Sequence, residues 1–137
     1  MGTWSAGSFG NDDAQDWVGD FLDKPGLPLV IQALTTVADA DADEYLEASE
    51  CAAAIAAAEI MAALNNHPNS ELDEELAAWI SQQNEASDPQ LAALAIRAIQ
   101  RIRINSEMKD LWEETEDDTE FQASLQDLEA RVKATVA

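Results

Sequence analysis

The stretch at residues 47–64, EASECAAAIAAAEIMAAL, constrains the fold of this chain more than any other. Alanine is the strongest helix former, so the stretch reads as one long helix. Residues 51–58 carry no charge on any face. A helix that is apolar all round has no side to offer water and belongs in a core. Small alanines let neighbouring helices approach closely, and Ile55, Ile60, Met61 and Leu64 supply the bulk that locks them in place. The expectation is a central helix with the rest of an all-helical domain wrapped around it. It is no membrane span, because the uncharged run is eight residues long, where a bilayer needs about 20.

The remaining chain alternates helix signals with breakers, and nowhere do β-branched residues alternate between turns as a strand would. Residues 1–10, MGTWSAGSFG, hold three of the five glycines and two aromatics, which predicts an irregular arm that docks Trp4 and Phe9 on the domain. Asn11 or Asp12 caps a first helix. Its apolar stripe holds Ala14, Trp17, Phe21 and Leu22, while Asp16, Asp20 and Asp23 fall at the complementary spacing and face water. Pro25 and Gly26 end it. A second helix runs over Leu27–Ala38, with Pro28 in its first turn and Leu27, Val30, Ile31, Leu34 and Val37 on its apolar face. Residues 39–44 alternate acid and alanine and read as a loop leading into the central helix. They lack the central Gly and closing Glu of a calcium loop.

Beyond the central helix, Asn65, Asn66 and Pro68 form a stop. Ser70 with Asp73 opens a fourth helix over residues 71–83, with Leu72, Leu76, Trp79 and Ile80 inside. Asp88 and Pro89 open a fifth, which faces inward with Leu91, Leu94, Ala95, Ala98 and Ile102, and with Ile99 beside them. Met108, Leu111 and Trp112 continue as a short helix. A last one from Thr119 buries Phe121, Leu125, Leu128 and Val132. The fold class is therefore all-α, a single-domain bundle of about six helices around the Ala-rich one, and 137 residues suffice for such a core without metals or disulfides.

Charge is the second constraint. The chain has 28 acids against 7 bases, a net −21. Residues 1–96 hold 18 acids and one base, Lys24, while residues 97–137 hold 10 acids and 6 bases. The first two-thirds of the surface repels nucleic acid and anionic membranes and attracts basic partners, or simply keeps the protein soluble. A basic, apolar leader is absent from the opening residues, so the expected location is cytoplasmic.

Candidate sites each carry a structural reading beside the functional one. Trp4, Phe9, Asp12, Asp13 and Asp16 form either a recognition surface or a plug plus helix cap, and large aromatics usually pack. Glu47 and Glu50 stand one turn apart and can share a site. Glu50 and Glu59 lie about 180° apart around a helix and cannot. Glu59 interrupts an apolar stretch, so it is either buried against a cation, with Arg97 or Arg101 the natural choice, or it marks the helix's one wet edge. His67, the single His, reads as a turn residue. Cys51, the single Cys, reads as a small buried hydrophobe. No nucleophile elbow, phosphate-cradling Gly loop or paired-His motif occurs, so no catalytic residue, metal or cofactor is expected.

Three blocks resemble a known family. Met1, Gly2, Thr3 and Trp4, then Gly7, Phe9, the run from Asn11 through Ala14, and Asp16 with Trp17 are similar to the opening of the DUF4259 family. The run AAAEIMAAL at residues 56–64 is similar to its middle, and Asn105, Ser106 and Glu107 with Leu111, Trp112, Glu113 and Glu114 to its last block. Ser5 and Gly10 depart from the family's pattern. The resemblance implies a small single-domain bacterial protein and supplies no activity.

Acidity without a catalytic constellation favours a non-enzymatic binding or inhibitor protein of the immunity kind, acting on a basic partner. Its contacts would be Trp4, Phe9, Asp12, Asp13, Asp16, Asp20, Asp39, Asp41, Asp43, Glu71, Asp73, Glu74 and Glu75. The alternative is a structural or oligomerisation module without small-molecule chemistry, and the sequence leaves the oligomeric state open. A carboxylate-based metal or hydrolytic enzyme is the remote third reading, because a di-iron bundle needs Glu-x-x-His and His67 has no Glu three residues before it.

Overall fold

The computed structural model describes residues 12–24, 26–40, 46–64, 74–82, 89–104 and 118–133. Within them lie six helices and no strand: α1 (Asp12–Asp23), α2 (Leu27–Ala38), α3 (Ala48–Leu64), α4 (Glu74–Ser81), α5 (Pro89–Ile104) and α6 (Asp118–Lys133). The expected N-terminal arm, the stop at residues 65–70 and the short helix at Met108, Leu111 and Trp112 lie outside the described residues.

The Ala-rich α3 is the hub. It packs against all five other helices. From Cys51 to Ala63 every side chain is buried apart from half-buried Ala53. That follows from the composition: with methyl groups on most of its surface, α3 accepts a neighbour at almost any angle around its axis. Its N-terminus is tied by two bonds. The Cys51 N–H donates to the Glu47 carbonyl at 3.1 Å, and the Glu50 carboxylate accepts the Glu47 N–H at 3.3 Å. The second is the return bond of a capping box, which satisfies an amide that has no partner inside the helix.

The surrounding helices follow the expected spacing with three corrections. In α1, Phe21 is buried, Trp17 and Leu22 are half-buried, and Asp16, Asp20 and Asp23 are exposed. Val18, at the turn before Leu22, is also buried, and the stripe read from the sequence omitted it. In α2, Val30, Leu34 and Val37 are fully buried as expected, but Ile31 is 38% exposed and Ala33 takes the inward place. Ile31 stands about 100° around the helix from Val30, so a face centred on Val30, Leu34 and Val37 turns it outward. In α5 the buried stripe is Ala92, Ala95, Ala98, Ile99 and Ile102, while Leu91 and Leu94 are only half-buried. α5 is wedged between α2, α3 and α6, and small side chains let it sit close to three neighbours where leucines would hold it off. Leu125, Leu128 and Val132 of α6 are buried as expected.

An aromatic relay binds α1 to α4. Trp17 and Phe21 stack with centroids 5.4 Å apart, and Phe21 meets Trp79 edge-on at 5.1 Å. Each such pair adds about 0.5–1.5 kcal/mol beyond burial. α4 is short, so its half-buried Trp79 and Ile80 supply much of what holds it down.

The close approach around α3 has a measurable consequence. Ala57→Leu, at a fully buried position, should cost about 1–3 kcal/mol by overpacking. Ile31→Ala on the exposed side of α2 should change stability by about 0.5 kcal/mol or less. Urea denaturation of the two variants separates them, and equal midpoints would contradict the hub role of α3.

Candidate functional site

α1 and α2 both lie along α3, and a groove opens between them. Its volume is about 390 Å³, near the lower end of the ~300–1,000 Å³ common for ligand pockets. α1 lines it with Trp17, Asp20 and Phe21, α2 with Leu29, Gln32, Ala33 and Thr36, and α3 with Glu50 and Ala53. In each helix the lining residues recur at one-turn spacing, which puts them on one face. The groove exists because α3 presents Ala53 here, where a larger side chain would fill it.

The lining is amphipathic and carries one sign of charge. Phe21, Leu29, Ala33 and Ala53 form apolar surface, and Trp17 stacks on Phe21 while lining the groove. Asp20 and Glu50 contribute two carboxylates. Gln32 and Thr36 add polar groups, although the Thr36 hydroxyl already donates to the Gln32 carbonyl at 2.9 Å. Glu47 and Glu50 are joined by the capping bond, in which the Glu50 carboxylate accepts the Glu47 backbone N–H. The sequence placed Trp17 in a core stripe and Asp20 in water without connecting either to Glu50. One-turn pairs on three helices were the available signal, and only packing shows that they converge.

Glu59 is fully buried. The guanidinium that grips it belongs to Arg131 of α6: Nη1 donates to Oε1 at 2.6 Å and Nη2 to Oε2 at 2.9 Å. Nε of the same Arg131 donates to Asp127 at 2.9 Å. The pairing expected with Arg97 or Arg101 is thus corrected. Arg97 stands more than half exposed and bonds Asp39 at 2.8 Å, tying α5 to the C-terminal end of α2, while Arg101 is half-buried on α5. The side of α3 that bears Glu59 meets the last turns of α6, a neighbour 72 residues away in the chain. A second polar clamp joins α5 to α6: Arg103 donates to Glu129 at 3.2 Å and to Gln122 at 2.9 Å, and Gln100 donates to Glu129 at 3.5 Å.

The Arg131 guanidinium is held above its ordinary range, first by its hydrogen bond to Glu59 and against the opposing effect of burial, with the Asp127 bond adding to the rise. A cation raised on folding contributes stability that is complete below its unfolded value and fades only above it. Its share is therefore constant across neutral pH and fades in strong alkali.

Of the expected partner contacts, Asp16, Asp20, Asp39, Glu74 and Glu75 are exposed. Asp12 and Asp13 belong to α1. Trp4, Phe9, Asp41, Asp43, Glu71, Asp73 and His67 lie outside the described residues. Among the described residues no three of His, Cys, Asp and Glu come together to hold a metal ion, and no helix is long and apolar enough to cross a membrane. Cys51 is buried in α3.

A family model described as a domain of unknown function (DUF4259) matches residues 2–124. No curated protein matches the chain, and no solved structure does.

Breaking the buried pair from one side strands a charge. Glu59→Met or Arg131→Met alone should cost about 3–5 kcal/mol, whereas the two combined should cost less than either. Thermal and urea melts of the three variants test the cycle, and an additive double variant would show that the two residues do not interact.

Proposed function

The chain belongs to the DUF4259 family, and we propose that it works by contact, as an acidic non-enzymatic binding protein of the inhibitor or immunity kind that covers a basic partner in a bacterial cytoplasm. The observation that carries this reading is the division of charge between helices. Arg97, Arg103 and Arg131 of α5 and α6 are each matched to an acid of the same chain. Asp16, Asp20 and Asp23 of α1 and Glu74 and Glu75 of α4 are exposed, and residues 1–96 contain one base among 18 acids.

Exposed carboxylates steer a cationic partner and speed its association. They work against nucleic acid and anionic lipid for the same reason. A module acting by self-assembly has less support among the described residues: Ile31 is their one exposed large hydrophobic, and a single such side chain is ordinary on any surface.

The test is affinity capture from the source cytoplasm at low and high salt, followed by association kinetics on whatever basic protein is retained. The association rate should fall about tenfold or more between 50 and 500 mM salt, and several-fold in Asp16→Asn with Asp20→Asn and Asp23→Asn. Retention indifferent to salt, or no basic protein retained, would remove the proposal.

A further inference from the structure

We propose that the groove between α1, α2 and α3 is the anchor of that contact, a receptor for one arginine side chain of the partner. The proposal rests on the contact reading above and goes further by naming the chemistry received and the place. Three observations converge on it. The groove has apolar walls, Phe21, Leu29, Ala33 and Ala53, against which a three-carbon stem can lie. Its lining also includes Asp20 and Glu50, both acids. Trp17 borders the same space, and a guanidinium is the cation that both forks onto carboxylates and stacks on an indole.

Charge complementarity selects the occupant. A neutral apolar side chain would leave the two carboxylates of the lining without compensation, and an acidic one would be repelled. The arginine has to come from another protein. Arg97, Arg103 and Arg131 are engaged with acids of this chain, and Arg101 is also engaged. Neither Asp20 nor Glu50 forms an ion pair among the described residues. Glu50 gives one weak acceptor contact to its own capping amide, so its carboxylate has further capacity.

The experiment uses the full chain and n-butylguanidinium as the probe, with n-butylammonium and n-pentanol as controls. Binding is read by tryptophan fluorescence and by indole and backbone amide shifts in NMR. The expected result is saturable binding with the largest shifts at Trp17, Asp20 and Glu50, stronger for guanidinium than for ammonium and absent for the alcohol. Asp20→Asn with Glu50→Gln should weaken it about tenfold or more, and Gln keeps the cap of α3. Ala53→Leu fills the groove while leaving every charge in place and should also abolish binding.

Shifts spread evenly over all exposed acids, or full binding by Ala53→Leu, would overturn the groove as a receptor. Failure of this inference and of the contact reading are distinguishable. A basic partner that binds wild type and Ala53→Leu with the same affinity leaves the contact reading standing and removes the anchor. A groove that binds n-butylguanidinium in a protein retaining no basic partner overturns the protein side chain as occupant and leaves a small free cation.

Discussion

A helix with no wet face has to be covered on every side, and that requirement organises this protein. α3 cannot lie on a surface, so five helices surround it. Its alanines set the terms of packing. They contribute little volume each, which lets α5 approach with alanines of its own, and the bulk of the core comes from a few larger side chains such as Phe21, Leu34, Leu46, Ile60 and Met61. Leu46, just ahead of α3, is fully buried and shows how tightly the chain is held before the helix begins.

One charge sits inside that apolar axis. Leaving Glu59 buried and unmatched would cost several kcal/mol, far more than an exposed pair such as Arg97 with Asp39 returns. The bidentate Arg131 and the flanking Asp127 resolve the problem and also fix which turn of α6 lies opposite which turn of α3. An apolar seam of Leu125, Leu128 and Val132 would tolerate sliding better than a forked hydrogen-bond pair does. Glu59 is thus best understood as a register device.

The same small side chains that close the core elsewhere leave it open between α1 and α2. Ala53, on the one side of α3 that is not fully covered, makes the floor of a groove whose other walls bring an indole and two carboxylates together. Charge is distributed to match. The arginines are concentrated in α5 and α6, where Arg97 is tied to Asp39 after α2, Arg103 to Glu129 and Arg131 to Glu59 of α3, and the groove lies on the part of the chain where bases are scarce. The proposed contact and its anchor rest on one arrangement, in which Arg97, Arg103 and Arg131 are matched to acids while Asp16, Asp20 and Asp23 of α1 stand exposed and Asp20 shares the groove lining with Glu50 of α3.

Much of the architecture was legible from local pattern alone. α2 has the bounds read from its composition, Leu27–Ala38, because Pro28 suits a first turn and the apolar spacing is regular. The burial of α3 followed from its lack of charge, and α6 followed from Leu125, Leu128 and Val132. The misses share one physical cause. Val18, Ala33 and Ala92 were left out of the apolar faces, and Ile31, Leu91 and Leu94 were set too deep, because periodicity gives the width of an apolar face but not its centre, which depends on where the neighbouring helices lie. Arg131 was passed over for the same reason: Glu59 announces that a buried carboxylate needs a cation, but chain order does not say which helix stands opposite. The sequence by itself determined an all-helical chain, its hub and its surplus of acid, since propensity, hydrophobic periodicity and net charge are local or additive. Only the tertiary structure decided the partner of Glu59 and the convergence of Trp17, Asp20 and Glu50 on one groove, since both depend on distances between helices remote in the chain.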